Sequence, residues 1–211
     1  MEREEDFNTM KRELKRERTR RLLLDTAKAL IQEKGCAGMT LNDIMERSGL
    51  SKGGIYHYVK SKDELLGWVL QEWLEETSRR FFAATAYEPK TFERPMKEIV
   101  ASLPDLENPG SVGNQVFMYL LGKCHQPEVQ EVMRQFYEGA LQVSKQWIAA
   151  GQKAGFIPRS VDAGKTAELF VLISLGLRVR SFISSGDYAF ASAEFAKLMA
   201  EMLRPSNHQS G

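Results

Sequence analysis

The chain is predicted to be all-α, with about nine helices. Two observations predict this class. Apolar residues recur at spacings of three and four along most of the 211 residues, and strand-like alternation is absent. Nearly every periodic run is bounded by a capping or helix-breaking residue. At 43% hydrophobic and 27% charged residues the composition is that of an ordinary globular protein. The length allows one large domain or two small ones with a proper core.

No apolar run reaches about 18 residues, so no membrane span is expected. The first 21 residues are charged throughout and lack the apolar core of a secretory signal. Cys36 and Cys124 lie far apart, which fits a reducing cytoplasm better than a disulfide scaffold. The formal net charge is only +1, yet residues 11–62 carry 13 Lys/Arg against 6 Asp/Glu. Such a basic third implies either a polyanion partner or a solvated, lysine-rich helix face.

Residues 1–10 are acidic and aperiodic, and disorder is expected there. Residues 11–21 form either a frayed helix end or a basic arm for a phosphate backbone. A first helix is predicted over 19–34, with Gly35 past its C-terminus. Thr40, with Asp43 three residues on, caps a short second helix over 41–48, which Gly49 ends. Ser51 caps a third over 52–59, and Ser61 with Glu64 opens a long fourth over 62–85. A loop is expected at 88–92 and a helix over 93–103. Residues 104–113, rich in Pro and Gly, form the clearest break in the chain. Helices follow at 114–124, 128–155, 162–184 and 188–203, and a polar, disordered tail at 205–211.

Catalysis finds no support. The three histidines, His57, His125 and His208, make no metal-binding or nucleophile pattern. Adjacent residues of a helix diverge by about 100°, so Cys124 and His125 do not share a metal without help from elsewhere. No metal, cofactor or catalytic residue is expected. The stretch 40–66 offers instead two short helices, a tight turn, and a second helix slim at its N-terminal end. That is the requirement of a helix-turn-helix. Gly53 and Gly54 leave the front of the third helix without side-chain bulk, so it can approach base edges. Tyr56 and His57 present polar ring tips suited to phosphate oxygens, and Lys62 stands at a helix start that also favours a phosphate.

These residues carry a family resemblance. Thr40-Leu-x-Asp-Ile, then Ser48-Gly-Leu-Ser-x-Gly-x-Ile-Tyr-x-Tyr-Val-x-Ser61-Lys-x-x-Leu65, resembles the TetR/AcrR family of bacterial transcription regulators. It departs slightly at Tyr58 and Val59, where the family often has His or Tyr and then Phe. The resemblance covers about 47 residues; beyond them it is one of helix layout. It implies a homodimer whose subunits each carry a three-helix DNA-binding domain and a larger helical domain for a small-molecule effector. It implies that Thr40, Tyr56, His57 and Lys62 hold phosphates. Lys52, Gly53 and Gly54 would lie nearest the bases, with Asn42 a further contact. Tyr58 is either a contact or a ring packed on a neighbouring helix. The expected domains are therefore 11–66 for DNA binding and 67–204 for ligand binding and dimerisation. The expected function is a ligand-responsive regulator, a repressor by resemblance, on a palindromic double-stranded DNA operator. The alternative is a constitutive or protein-controlled DNA-binding protein of the same fold.

Residues 162–184 are apolar nearly all round, so this helix must be buried on two sides. Phe170, Ile173, Leu177 and Phe182, with Phe195 and Met199 of the last helix, form either a four-helix dimer interface or a monomer core. Phe117, Leu121, Tyr137 and Phe170 are the candidates for an effector pocket. Their apolar surroundings suit an apolar or amphipathic effector.

Overall fold

The structure, a computed structural model, describes residues 2–86, 91–184 and 186–204. Among these there are nine α-helices, one 3-10 helix and no strand. The expected tail at 205–211, and 88–90 of the expected loop, lie outside the described residues. The chain forms two compact units, Met1–Leu70 with Gln115–Val132, and Gln71–Asn114 with Met133–Gly211.

In the first unit α1 spans Glu2–Gly38, starting well before the expected position and running through the segment expected to be disordered. Residues 2–18 contain no glycine or proline and are rich in Glu, Lys and Arg, so nothing interrupts the helix. Side chains 9–18 are exposed; burial begins with Leu23, Leu24, Ala27, Leu30 and Ile31. Leu24 belongs to this face, while Leu22 is exposed. Gly35 breaks the helix at φ 71°, the left-handed conformation glycine tolerates best.

Helix α2 spans Leu41–Ser48 and carries the expected cap. Thr40 Oγ1 accepts from the Asp43 N–H at 3.2 Å, and the Asp43 carboxylate accepts from the Thr40 N–H at 2.7 Å. Gly49, at φ 69°, ends it. Helix α3 spans only Lys52–Tyr56, shorter than expected. Two glycines in five residues weaken it, and the last turn tightens as the Tyr58 N–H reaches back three residues to the Ile55 carbonyl. Helix α4 spans Lys62–Thr85. Ser61 Oγ accepts from the Glu64 N–H as expected, but the Glu64 carboxylate accepts from Lys60, one residue before the usual partner.

The first unit also takes in 115–132, which the expected boundary at residue 67 had placed with the second domain. Val116, Leu120 and Val129 are buried, and Lys123 Nζ lies 2.5 Å from Asp63 Oδ2. At buried Gly67 of α4 an added Cβ would lie 2.5 Å from Val132 Cγ1, so glycine sets how closely these segments pack.

In the second unit α5 spans Glu93–Ser102 and leads straight into a 3-10 helix at Leu103–Glu107. This is the stretch read as a break. Leu103 and Leu106 are buried, and the 3-10 helix packs on α5, on α8 (Ala163–Ile183) and on α9 (Ser192–Leu203). Asn114, near the start of α6 (Val112–Leu121), holds it. Its Nδ2 donates to the carbonyls of Asp105, Leu106 and Asn108 at 2.8, 3.0 and 2.9 Å, so one of its two hydrogens is shared. Its Oδ1 accepts from Arg178 Nη1 of α8. Glu107 adds a second tie, accepting from Arg180 Nη2 and from the Ser192 N–H, both at 2.7 Å. Helix α7 (Pro127–Lys153) contributes to both units, as do α4 and α6.

Asn114→Ala strips three carbonyls, that of Leu106 buried, and the buried Arg178 guanidinium of one shared partner. It is expected to cost about 2–4 kcal/mol in denaturant unfolding; a loss below about 0.5 kcal/mol would show the contacts to be incidental.

Asp43 supplies a pH test. The Lys34 ammonium first, then Thr40, lower its carboxyl to about 2. A depressed carboxyl stabilises the folded form above its ordinary value of about 4 and loses that contribution as pH falls through its folded value. Asp43→Asn should therefore melt below wild type at pH 7, with the gap closing between about pH 4 and pH 2. A gap constant across that range would assign the loss to the cap's shape alone.

Candidate functional site

In the first unit, α2 and α3 present one continuous polar surface. Asn42, Lys52, Gly53, Tyr56 and His57 are exposed on it, and Ile44, Ile55 and Val59 anchor it from below. Ser51 caps α3 by accepting from the Gly54 N–H at 3.1 Å. The two glycines differ in kind. A Cβ on Gly54 would meet Ser51 Oγ at 3.2 Å and crowd that cap, whereas a Cβ on Gly53 would meet nothing within 4 Å. The fold has no need of glycine at 53. Lys52 Nζ lies 5.9 Å from the centre of the Tyr56 ring, and His57 meets Tyr58 edge to face at 5.3 Å. Tyr58 is half-buried. Arg16 and Arg20 of α1 line one shallow concavity with His57, Tyr58 and Trp68, and Arg20 lies over the Trp68 ring. Sequence reasoning left the basic arm apart from this surface; the continuous helix, with no breaker from residue 2 onward, was the signal that joins them.

Two expected phosphate ligands have other duties. Thr40 Oγ1 is engaged with Asp43. Lys62 Nζ donates to the carbonyls of Ala37 and Met39 at 3.3 and 2.8 Å and lies over the Tyr119 ring at 5.0 Å. Its ammonium closes the end of α1, so its side chain is structural in this conformation.

The second unit encloses a cavity of about 390 Å³ between the second half of α4, α5, α7, α8 and α9. Of the four residues expected to line it, only Phe170 does. Phe117 and Leu121 belong to the first unit, where Phe117 is buried and Leu121 exposed, and Tyr137 is half-buried without reaching the cavity. The face of α6 that carries Phe117 and Leu120 closes the core at 115–132, which explains the error. Trp73, Phe81 and Trp147 do line the cavity, the last two stacked at 5.2 Å.

Arg178 is the lining residue that sequence reasoning missed. It is 4% exposed, bonded to Asn114, and lies 4.7 Å over the Trp73 ring. Burial pushes its guanidinium down to about 10, against the pull of the Asp105 carboxylate, so it stays charged at neutral pH. Its spacing from Val171 and Ser174 on the same helix face was the available signal.

The expected dimer residues also need correction. Phe170, Leu177, Phe195 and Met199 are buried in the second unit's own core, with Ile173 packed against it. The apolar positions that α8 leaves exposed are Leu169, Leu172, Phe182 and Ile183. A helix apolar on all sides does not reveal which side its own chain covers.

Among the described residues no group of three or more His, Cys, Asp or Glu could hold a metal ion, and no helix is long and apolar enough to cross a membrane.

A family model of bacterial regulatory proteins, the tetR family, matches residues 23–68, the first helices and the turn described above. The chain is 29% identical over 178 residues to the HTH-type transcriptional regulator BetI of Paraburkholderia phytofirmans, covering 82% of this chain and 86% of that one. Two solved structures share the fold. One is the SmeT–triclosan complex, SmeT being a repressor from Stenotrophomonas maltophilia, with a TM-score of 0.63 and 17% identity over 90% of this chain and 93% of that one. The other, from Saccharomonospora viridis and described as a transcriptional regulator, is in complex with choline. Its TM-score is 0.57 and its identity 21%, over 88% of this chain and 95% of that one. With the family match lying on the helix-turn-helix and the fold shared over most of the chain, this protein is similar to the TetR family of transcriptional regulators, whose model its residues 23–68 match.

Proposed function

We propose that the chain is a ligand-responsive repressor. It binds a palindromic operator as a homodimer in the cytoplasm and is released by a small apolar or amphipathic effector. The observation that carries this reading is the cavity. Its volume of about 390 Å³ lies within the range of about 300–1,000 Å³ of small-molecule sites. A constitutive DNA-binding protein would have no use for it, and a packed core would be more stable.

On the DNA side, α3 enters the major groove with Lys52, Gly53 and Gly54 foremost and Asn42 beside them. Tyr56, His57 and the arginines of α1 flank the phosphates, and Thr40 and Lys62 contribute through the backbone they hold in place. Five residues of helix offer few base contacts, so specificity needs two copies at a set spacing. Leu169, Leu172, Gly176 and Ile183 are exposed on α8 and Val179 is half-buried, and the five alternate spacings of three and four. That is the seam of a helix that packs on a partner helix, and Gly176, with nothing within 4 Å of an added Cβ, leaves room for close approach. A second copy supplies that partner. The effector acts by population shift. It favours a dimer form whose two α3 helices no longer match the operator, and α4, which contributes to both units, is the link.

Selection of operators from a random DNA pool with the purified protein tests the reading. A palindrome is expected, with binding that falls by about 0.9 log units per neutralised phosphate for each log unit of salt. Absence of a selected sequence, or a flat salt response, would reject it. Gly53→Leu sharpens the test, because its side chain meets open space in the free protein. Thermal unfolding should be unchanged, while the selected operator binds about 1–3 kcal/mol more weakly. Equal binding would take α3 out of the groove.

Leu172 is 53% exposed in the single chain, so Leu172→Arg leaves the fold intact. It is expected to yield monomers in sedimentation and to lose operator binding. A variant that stays dimeric would move the interface away from α8.

A further inference from the structure

Helix α1 begins well before its packed face, and that early stretch carries an apolar stripe left to solvent. Phe7, Met10 and Leu14 are 66%, 59% and 56% exposed. They stand three and four residues apart on one helix, so they share one side of it. Single exposed apolar residues are ordinary, but three in line form a patch that asks for a cover. A helix also draws most of its stability from an apolar face packed against something. The concavity beside His57 and Trp68 does not supply that cover, since none of the three lines it. The residues that α1 does give to it, Glu13, Arg16, Glu17 and Arg20, are centred about 100° round the helix from the stripe.

Charge says what the cover is. Residues 1–10 hold one Arg against four Asp/Glu, and residues 11–21 hold seven Lys/Arg against two Glu. The stripe spans the point where the sign changes. A helix acidic at its start, basic further on and apolar across the join is complementary to a copy of itself laid antiparallel. Laid parallel, the two basic stretches would repel. A DNA duplex would attract the basic stretch, repel the acidic start and leave the stripe in water. We propose that a second copy of this chain covers the stripe, its α1 running antiparallel, so that Phe7, Met10 and Leu14 of both copies meet. Each acidic start then lies along the other copy's basic stretch, and the contact is its own two-fold mate.

Three apolar residues a side fall far short of the roughly 20–30 residues a side of a stable interface. The contact therefore joins copies that are crowded or already held near one another, and it is lost in dilute solution. It is separate from the pairing through α8, and it does not depend on the operator reading.

The test uses the full chain carrying Leu172→Arg, so that pairing through α8 does not hide pairing through α1. Sedimentation at hundreds of micromolar and low salt should show reversible pairs, and dilution should dissolve them. Leu14→Glu, at an exposed site, leaves the fold intact and should weaken pairing at least tenfold. Added salt should weaken it too. Spin labels on Met10→Cys, in a Cys124→Ser background, should lie about 10 Å apart between copies, and labels on Arg18→Cys about 20 Å or more. No pairing at that concentration, pairing that Leu14→Glu leaves unchanged, or equal distances at the two sites would overturn the proposal. Weaker operator binding by Leu14→Glu without any self-association would give the stripe to DNA and overturn it as well. A Leu172→Arg chain already dimeric in dilute solution would count against α8 alone, and the effect of Leu14→Glu on that dimer would still decide.

Discussion

The contact between Asn114 and Arg178 is the constraint on which the second unit depends. Arginine can only donate, so the Asn114 oxygen must face it, and the amide nitrogen must then face the 3-10 carbonyls. One planar side chain thereby fixes a turn, a helix and a buried charge. Removing Asn114 takes a partner from each of the others at once. Glu107 works in parallel, holding Arg180 of α8 and the first N–H of α9. The cavity wall formed by α8 and α9 is set by these ties as much as by the apolar core of Phe170, Phe195 and Met199.

Different physics governs the surface proposed to face DNA. Its surplus of cations supplies attraction to any duplex, and that attraction carries no sequence information. What singles out α3 is the side chain it lacks at Gly53. Nothing in the protein occupies the space a Cβ would take there, although glycine weakens the helix. A residue type that costs stability and solves no internal packing problem is explained by an external body that comes close. Gly54 is a different case, because its own cap would be crowded.

Much of the first unit was legible because its punctuation is local. Gly35 and Gly49 take up left-handed backbone where the sequence places them, and Thr40 with Asp43 closes the expected cap. Caps and glycines act over a few residues, so a sequence displays them directly. The second unit was harder for the same reason. The Pro- and Gly-rich stretch 104–113 marks an interruption, yet Leu103 and Leu106 make its start a packing centre through contacts with α8 and α9 far along the chain. Helical periodicity shows that α8 has apolar faces. It does not show whether Phe170 or Leu172 turns inward, and so the expected dimer residues were largely core. Arg178 escaped notice because a lone arginine in an apolar helix usually reaches back to water; Asn114, 64 positions away, is what holds it inside.

The two surfaces share little side-chain chemistry, so the proposed coupling would pass along the chain itself. Helix α4 carries Leu65 and Leu66 in the core of the first unit and, two turns on, Trp73 beneath Arg178 in the second. Helix α6 likewise passes from Asn114 in one unit to Gln115 in the other. A guest held in the proposed effector cavity would therefore lie beside Trp73, where a continuous helix leaves the second unit. To move a dimer from about 99% DNA-competent to about 1% requires a preference of some 5.5 kcal/mol for one form over the other. Divided over the cavities of the two subunits of the proposed dimer, that is about 3 kcal/mol per guest.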